Sequence, residues 1–167
     1  LFAVQGSYLQ DWMLLETDYN WRVDAVQGGN SRAIADIGSH WCDTVQFVTG
    51  KRIVEVMADL AIVWPVRKAS IASNATFGQQ MADVQFEDKA VTTEDRGSVL
   101  VRFDDGSKGC FSVSQVSAGR KNHLSFEING SQCSLHWDQE TPQQLWVGHR
   151  QQANQILTDD PGSVSYT

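Results

Sequence analysis

Asp36, His40 and Asp43 stand at i, i+4 and i+7. An α-helix turns about 100° per residue, so three side chains at this spacing stack along one line. A carboxylate and an imidazole one turn apart can bind hydroxyl groups and exchange a proton with one of them, because imidazole titrates near neutral pH. The same three groups could ligate a divalent metal, or could be the solvated side of an amphipathic helix. Two features weigh against the solvated face. Between Ala33 and Thr49 there is no Lys, Glu or Arg, the residues that usually fill an exposed helix face. Gly38-Ser39 lies in the helix interior, where Gly costs about 1 kcal/mol, which suggests that something packs close to the Asp/His row. A second group precedes the helix. Tyr8, Gln10 and Trp12 alternate and would project to one side of a strand. A phenol, an amide and a flat indole suit a polyol, whose C–H faces stack and whose hydroxyls hydrogen-bond; for Trp12 ordinary sheet packing competes. Arg22 could reach the same place across a loop, and an exposed salt bridge explains it equally well.

These residues need a strand and a helix to position them. Residues 1–13 read as a strand in which Phe2, Val4, Tyr8 and Trp12 share a parity, and residues 14–30 read as irregular, with turn chemistry at 17–20 and 28–30. A helix is expected from about Ser31, capped by Asn30 or Ser31, to about Thr49, with Gly50 just past its end. Its apolar stripe is Ile34, Ile37, Trp41, Val45 and Val48. Strand patterns follow at 53–64, 99–103, 110–116, 124–128, 133–137, 144–147 and 155–157, with a long connection over 65–90. Asp104-Asp105-Gly106 and Asn129-Gly130 are hairpin signals. The fold class is α+β: a large, mostly antiparallel open β-sheet, with helix 31–49 on one face and a homodimer contact on the other.

Composition bounds the answer. A chain of 167 residues, 41% apolar, suits one domain with a real core. A net charge of -7 and six Trp exclude a disordered chain and a phosphate-backbone binder. No apolar run approaches the roughly 18 residues of a membrane span. Cys42, Cys110 and Cys133 are odd in number and form no Cys-x-x-Cys, against a disulfide scaffold or zinc ribbon and for reduced thiols in the cytoplasm. Cys42 has no base arranged to activate it and reads as a buried thiol. His123, His136 and His149 have no second ligand at helical spacing and read as strand or loop residues without a special role.

Gly6-Ser7-Tyr8-Leu9-Gln10-Asp11-Trp12, Trp21-Arg22 and the run from Gly28-Gly29-Asn30-Ser31 through Asp36-Ile37-Gly38-Ser39-His40-Trp41-Cys42-Asp43 together resemble the C-terminal domain of the Gfo/Idh/MocA oxidoreductase family. Thr93-Glu94-Asp95, Phe103-Asp104-Asp105-Gly106, and Gly119-Arg120-Lys121-Asn122 before Phe126-Glu127-Ile128-Asn129-Gly130 extend the resemblance over nearly the whole chain. The resemblance implies a two-domain NAD(P)-dependent dehydrogenase of sugars, cyclitols or their derivatives. In it His40 would be the acid/base, Asp36 would bind substrate and set the His, and Tyr8, Gln10, Trp12, Arg22 and Asp43 are candidate substrate contacts. The family's strand–Gly-rich turn–helix dinucleotide fingerprint, its Glu-Lys-Pro motif and its Gly/His-containing segment near the C-terminus are not found in this sequence. Residues 1–167 are therefore expected to be a substrate-binding and dimerisation domain, without the N-terminal Rossmann domain and the extreme C-terminal segment. Alone they should bind no NAD or NADP and no metal, and turn nothing over. The competing function is a non-enzymatic sugar-sensing, regulatory or dimerisation module of the same fold; the presence of both Asp36 and His40 favours the enzyme.

Overall fold

An eight-stranded sheet organises the computed structural model, which describes residues 1–71, 85–159 and 162. Its strands are β1 (Ala3–Leu9), β2 (Ile53–Ala61), β5 (Arg96–Phe103), β6 (Lys108–Ser114), β7 (His123–Asn129), β8 (Ser134–Asp138), β9 (Gln144–Gly148) and β10 (Gln155–Thr158), in the spatial order β10-β9-β8-β7-β1-β6-β5-β2. All neighbours are antiparallel except β1 and β6, which run parallel with Ala3 beside Lys108 and Leu9 beside Ser114. The sheet is therefore mixed, as a parallel pair needs a long crossover between its strands. Here that crossover holds the helix.

Residues 65–90, expected to be a connection only, contain a second sheet. Strands β3 (Val66–Ser70) and β4 (Phe86–Ala90) pair antiparallel, Val66 opposite Ala90 and Ser70 opposite Phe86. The first strand is shorter than expected, and Phe2, outside it, is exposed. Beyond Leu9 the chain still follows β6, because Gln10 and Met13 donate backbone N–H bonds to the Ser114 and Gln115 carbonyls, but a turn closed by Leu14 N–H on the Asp11 carbonyl ends the pleat. The stretch 14–30 is largely irregular, with two short pieces. A 3₁₀ turn, Trp21–Val23, is capped by Asn20, and the single helical turn α1 (Ala25–Gly28) is capped by Asp24.

The main helix departs from the expected one at its start. It opens as a π-turn over Ile34–Gly38 and continues as α2 (Ser39–Thr49). Neither Asn30 nor Ser31 caps it. The Glu94 carboxylate, remote in sequence, accepts from the backbone N–H groups of Arg32 and Ile34 and from the Ser31 hydroxyl. An anion there satisfies orphan donors and meets the positive end of the helix dipole. Gly50 closes the far end at φ 65, a left-handed conformation glycine adopts without strain.

Ile37, Trp41 and Val45 of the expected stripe are buried and Ile34 packs beside them, whereas Val48 is 49% exposed. Val48 lies in the last turn, where the helix leaves the sheet edge. The buried set meets Val4 and Tyr8 of β1, Val99, Val101 and Phe103 of β5, Phe111 and Val113 of β6, and Leu124 and Phe126 of β7. Trp41 is fully buried, stacks on Phe111 with ring centroids 4.3 Å apart, and donates its indole N–H to the Ser125 carbonyl. Gly6 makes room for it. A Cβ on Gly6 would collide with the Ser125 carbonyl oxygen and come within 2.6 Å of Trp41 Nε1. Gly38 corrects an expectation: it is buried against Val113 and Phe111, so the small residue packs on the sheet and not on the Asp/His face. The wider π-turn rotates the first residues of the helix relative to the rest. A second cluster of Met13, Val23 and Val91, with Trp12, Tyr19 and Val116 packed on it, holds the loop after β1. Among the described residues no helix is long and apolar enough to cross a membrane.

Candidate functional site

Beyond the end of β1 three predicted residues meet a fourth that the spacing argument did not single out. Tyr8 Oη and Gln10 Nε2 both donate to Asn122 Oδ1, at 2.7 and 2.9 Å. Trp12 Nε1 donates to Gln10 Oε1 at 2.7 Å. The indole fixes the sense of the chain: it can only donate, so Gln10 Oε1 accepts, Gln10 Nε2 donates to Asn122 Oδ1, and the Tyr8 hydroxyl donates to the same oxygen. Asn122 Nδ2 donates to no group among the described residues. The loop bearing Asn122 is pinned by Asp11, whose Oδ2 accepts from Gly119 N–H and from Lys121 Nζ at 2.7 Å. The Lys121 bond holds the Asp11 carboxyl below its ordinary range. Burial pushes the Tyr8 hydroxyl above its ordinary pKa; the Asn122 bond opposes this and the nearby Asp36 charge adds to it. Tyr8 is thus a donor at neutral pH.

His40 is exposed on the helix, its ring 6.2 Å from that of Tyr8. Asp36 is half-buried. Its Oδ2 accepts from Gln115 Nε2 at 2.8 Å, and its Oδ1 accepts from no group among the described residues. Asp36 also lines a cleft of about 200 Å³ with Trp21, Arg22, Gly28, Ser31, Arg32 and Ala35. The Arg22 guanidinium carbon lies 4.7 Å from the Trp21 ring centroid and 5.9 Å from that of Trp12, so two aromatic faces hold it and it forms no salt bridge. Arg22 is therefore the bridge between the Trp12 wall and the Asp36 cleft. The structure thus brings Tyr8, Gln10, Trp12, Arg22, Asp36 and His40 to one region. Asp43 is exposed, without a hydrogen bond or ion pair, and stays apart.

The oxygen and nitrogen atoms of Asp36, His40 and Asp43 do not converge to within 4.8 Å as one set, which counts against the metal reading. His123, Asp138 and Glu140 do converge to that degree, but His123 Nε2 pairs with Asp138 at 3.1 Å and Glu140 with Arg120 at 2.7 Å. Cys42, Cys110 and Cys133 are free thiols, and burial pushes the Cys42 thiol up, away from nucleophilic use.

Asn122 and Gln115 are what sequence reasoning missed. Asn122 sits in a loop 112 residues from Gln10, and Gln115 lies just past β6, 79 residues from Asp36. No local period links either to the helix. The one available signal was a polar Gln closing an otherwise apolar and small-residue strand, 110–116.

The fold has solved counterparts. The sequence matches the GFO/IDH/MocA C-terminal domain over residues 1–136. This chain belongs to the Gfo/Idh/MocA family. It is 26% identical over 148 residues to levoglucosan dehydrogenase of Pseudarthrobacter phenanthrenivorans, covering 88% of this chain and 37% of that enzyme. An oxidoreductase domain protein from Kribbella flavida superposes with a TM-score of 0.78 at 32% identity, over 95% of this chain and 40% of that one. A levoglucosan dehydrogenase in complex with NADH and L-sorbose superposes with a TM-score of 0.81 at 24% identity, over 96% of this chain and 41% of that one. The chain thus corresponds to the C-terminal domain of this oxidoreductase family and spans about two fifths or less of these relatives.

The start of the main helix does not offer a dinucleotide site. A dinucleotide pyrophosphate needs free backbone N–H groups at a helix N-terminus after a Gly-rich turn. At the main helix those donors already serve the Glu94 carboxylate, and a second anion there would be repelled.

Proposed function

We propose that this chain is the substrate-binding domain of an NAD(P)-dependent dehydrogenase of a sugar, cyclitol or related polyol, with the cofactor held by residues outside this chain. The observation that carries the reading is Asp36: one carboxylate oxygen is fixed by Gln115 and the residue lines the cleft, with His40 exposed on the same helix, its ring 6.2 Å from that of Tyr8. A carboxylate with a free oxygen accepts from a sugar hydroxyl. An exposed imidazole can take the proton of the reacting hydroxyl, or return it to the carbonyl in the reverse direction. The Trp12 and Trp21 rings supply faces for sugar C–H groups, and Arg22 and Asn122 Nδ2 supply donors. Gln10 sets Asn122 and Trp12 and stands at the same wall. Asp43, exposed and unpartnered, is the weakest of the substrate contacts. The three free thiols support a cytoplasmic setting.

The test is a screen of the full-length protein against levoglucosan, inositol and further sugars with NAD and NADP. Turnover of at least one is expected, and His40→Ala should lower it by roughly 10²–10⁴-fold, as loss of a general acid/base does. Turnover unchanged in His40→Ala would remove the histidine from the mechanism. Saturable sugar binding with no turnover would favour the sensing module instead.

A further inference from the structure

We propose that Gln115 is the positioning residue for Asp36, and that it does this as the last link of a buried chain running Arg67–Asp95–Arg32–Gln115–Asp36. The assignment rests on the reading of Asp36 as the sugar-binding carboxylate and names what holds it.

Arg67, Asp95, Arg32 and Gln115 are all at least 98% buried. Asp95 Oδ1 accepts from Arg67 Nη2 at 2.6 Å and from Arg32 Nη2, while its Oδ2 accepts from the Val63 and Trp64 backbone N–H groups. Burial opposes the charge on Asp95, but the two guanidinium groups outweigh it and hold the carboxyl below its ordinary range. Arg32 Nη1 then donates to Gln115 Oε1 at 3.1 Å, and Gln115 Nε2 donates to Asp36 Oδ2 at 2.8 Å.

The polarity of this chain is forced. A guanidinium only donates, so the amide oxygen of Gln115 must face Arg32. The amide nitrogen is then aimed at Asp36 and nowhere else. Flipped, the amide would set its oxygen against a carboxylate oxygen and its nitrogen against a guanidinium, losing both bonds. The Gln115 backbone is fixed as well, its N–H donating to the Asp95 carbonyl and its carbonyl accepting from Met13 N–H. Asp36 is therefore held in one rotamer by groups that cannot rearrange singly, which is how a binding carboxylate is kept ready for a substrate. A network serving stability alone would close on itself. This one ends on a half-buried carboxylate that lines the cleft and whose second oxygen has no hydrogen-bond partner among the described residues. At its other end Arg67 donates to the Met13, Leu15 and Asp18 carbonyls. The same chain thus fixes the loop that follows Trp12, so both sides of the site share one support.

The experiment uses the full-length protein with levoglucosan and inositol as probe substrates and NAD or NADP as oxidant. Gln115→Met keeps the shape and removes the donor. Gln115→Glu keeps the bond to Arg32, which protects folding, and turns a second acceptor toward Asp36. Both should lower kcat/KM for the sugar by roughly 10- to 100-fold, the range of one hydrogen bond to a charged group. The KM for the nicotinamide should stay at the wild-type value in both variants, and Gln115→Glu should still unfold cooperatively, at a midpoint lowered by the like charge facing Asp36. In an Asp36→Asn background Gln115→Met should cost nothing further, because its effect passes through that carboxylate. Wild-type kcat/KM in both variants, or losses that multiply in the double variant, would overturn the assignment while leaving the dehydrogenase reading in place if His40→Ala and Asp36→Asn are impaired. A wild-type protein that oxidises neither these probes nor any other sugar or cyclitol of the screen would count against the reading of Asp36 itself, and this assignment would fall with it.

Discussion

Trp41 shows how a single side chain fixes the distance between helix and sheet. Full burial of an indole removes about 150–250 Å² from water, and its N–H must find an acceptor inside. The acceptor is a strand carbonyl, Ser125, that only a glycine at position 6 leaves accessible. Gly6→Ala should therefore destabilise the protein by about 1–3 kcal/mol through overpacking, and Trp41→Ala by about 3–5 kcal/mol through the cavity and the lost bond. Denaturant unfolding measures both. A Gly6→Ala variant as stable as the wild type would mean that the indole does not need the Ser125 carbonyl. Trp41 as a core residue was legible in its helical period. The reason for Gly6 was not, because it depends on two atoms 35 and 119 residues away.

At the scale of elements, the helix and most strands could be read from period and turn chemistry, and the exceptions share a cause. The helix cap and the β3–β4 pair are set by partners away in the chain, Glu94 for the cap and Phe86–Ala90 for Val66–Ser70. Asn30 and Ser31 are good cap types, yet Glu94 reaches the first N–H groups with a full charge and displaces them. Glu94→Ala should cost about 1–2 kcal/mol, the upper range of an N-cap, and should loosen hydrogen-exchange protection in residues 32–36 before it does so in the strands. Uniform loss of protection would refute the local role. The β5–β6 hairpin gives a pH prediction. Asp105 is held at a pKa of about 2, first by the Ser107 hydroxyl and backbone N–H and then by Lys51. Because its folded value is depressed, its stabilisation is full above the unfolded value near 3.8 and disappears as pH falls toward about 2. Asp105→Asn should lower stability at pH 6, and the gap to the wild type should close on acidification through that window. A gap independent of pH would show that the carboxylate charge is irrelevant to the turn.

For the whole molecule, the question is what the second sheet face does. The helix covers one face from Val4 to Phe126. On the other side a concavity of about 700 Å³ runs across β2, β5, β6 and β1 and is bordered by Met57, Leu100, Cys110 and Gln5. On this face of edge strand β2 Met57 is 66% exposed and Leu100 beside it is 52% exposed, whereas Val56 and Leu60, opposite Val101 and Gly97, are exposed on the helix side of the same edge. An exposed apolar edge invites pairing or aggregation unless something covers it. A second copy of this face is the occupant that the proposed homodimer requires, since a two-fold contact places the same patch on both subunits. Met57→Lys with Leu100→Lys would then set like charges across the two-fold axis in a desolvated contact. Sedimentation of the full-length protein should show the assembly reduced by that step to smaller species, with Asp36 and His40 untouched on the opposite face. If the double variant sediments as the wild type does, copies of this chain do not meet through Met57 and Leu100, and the homodimer reading of this face fails.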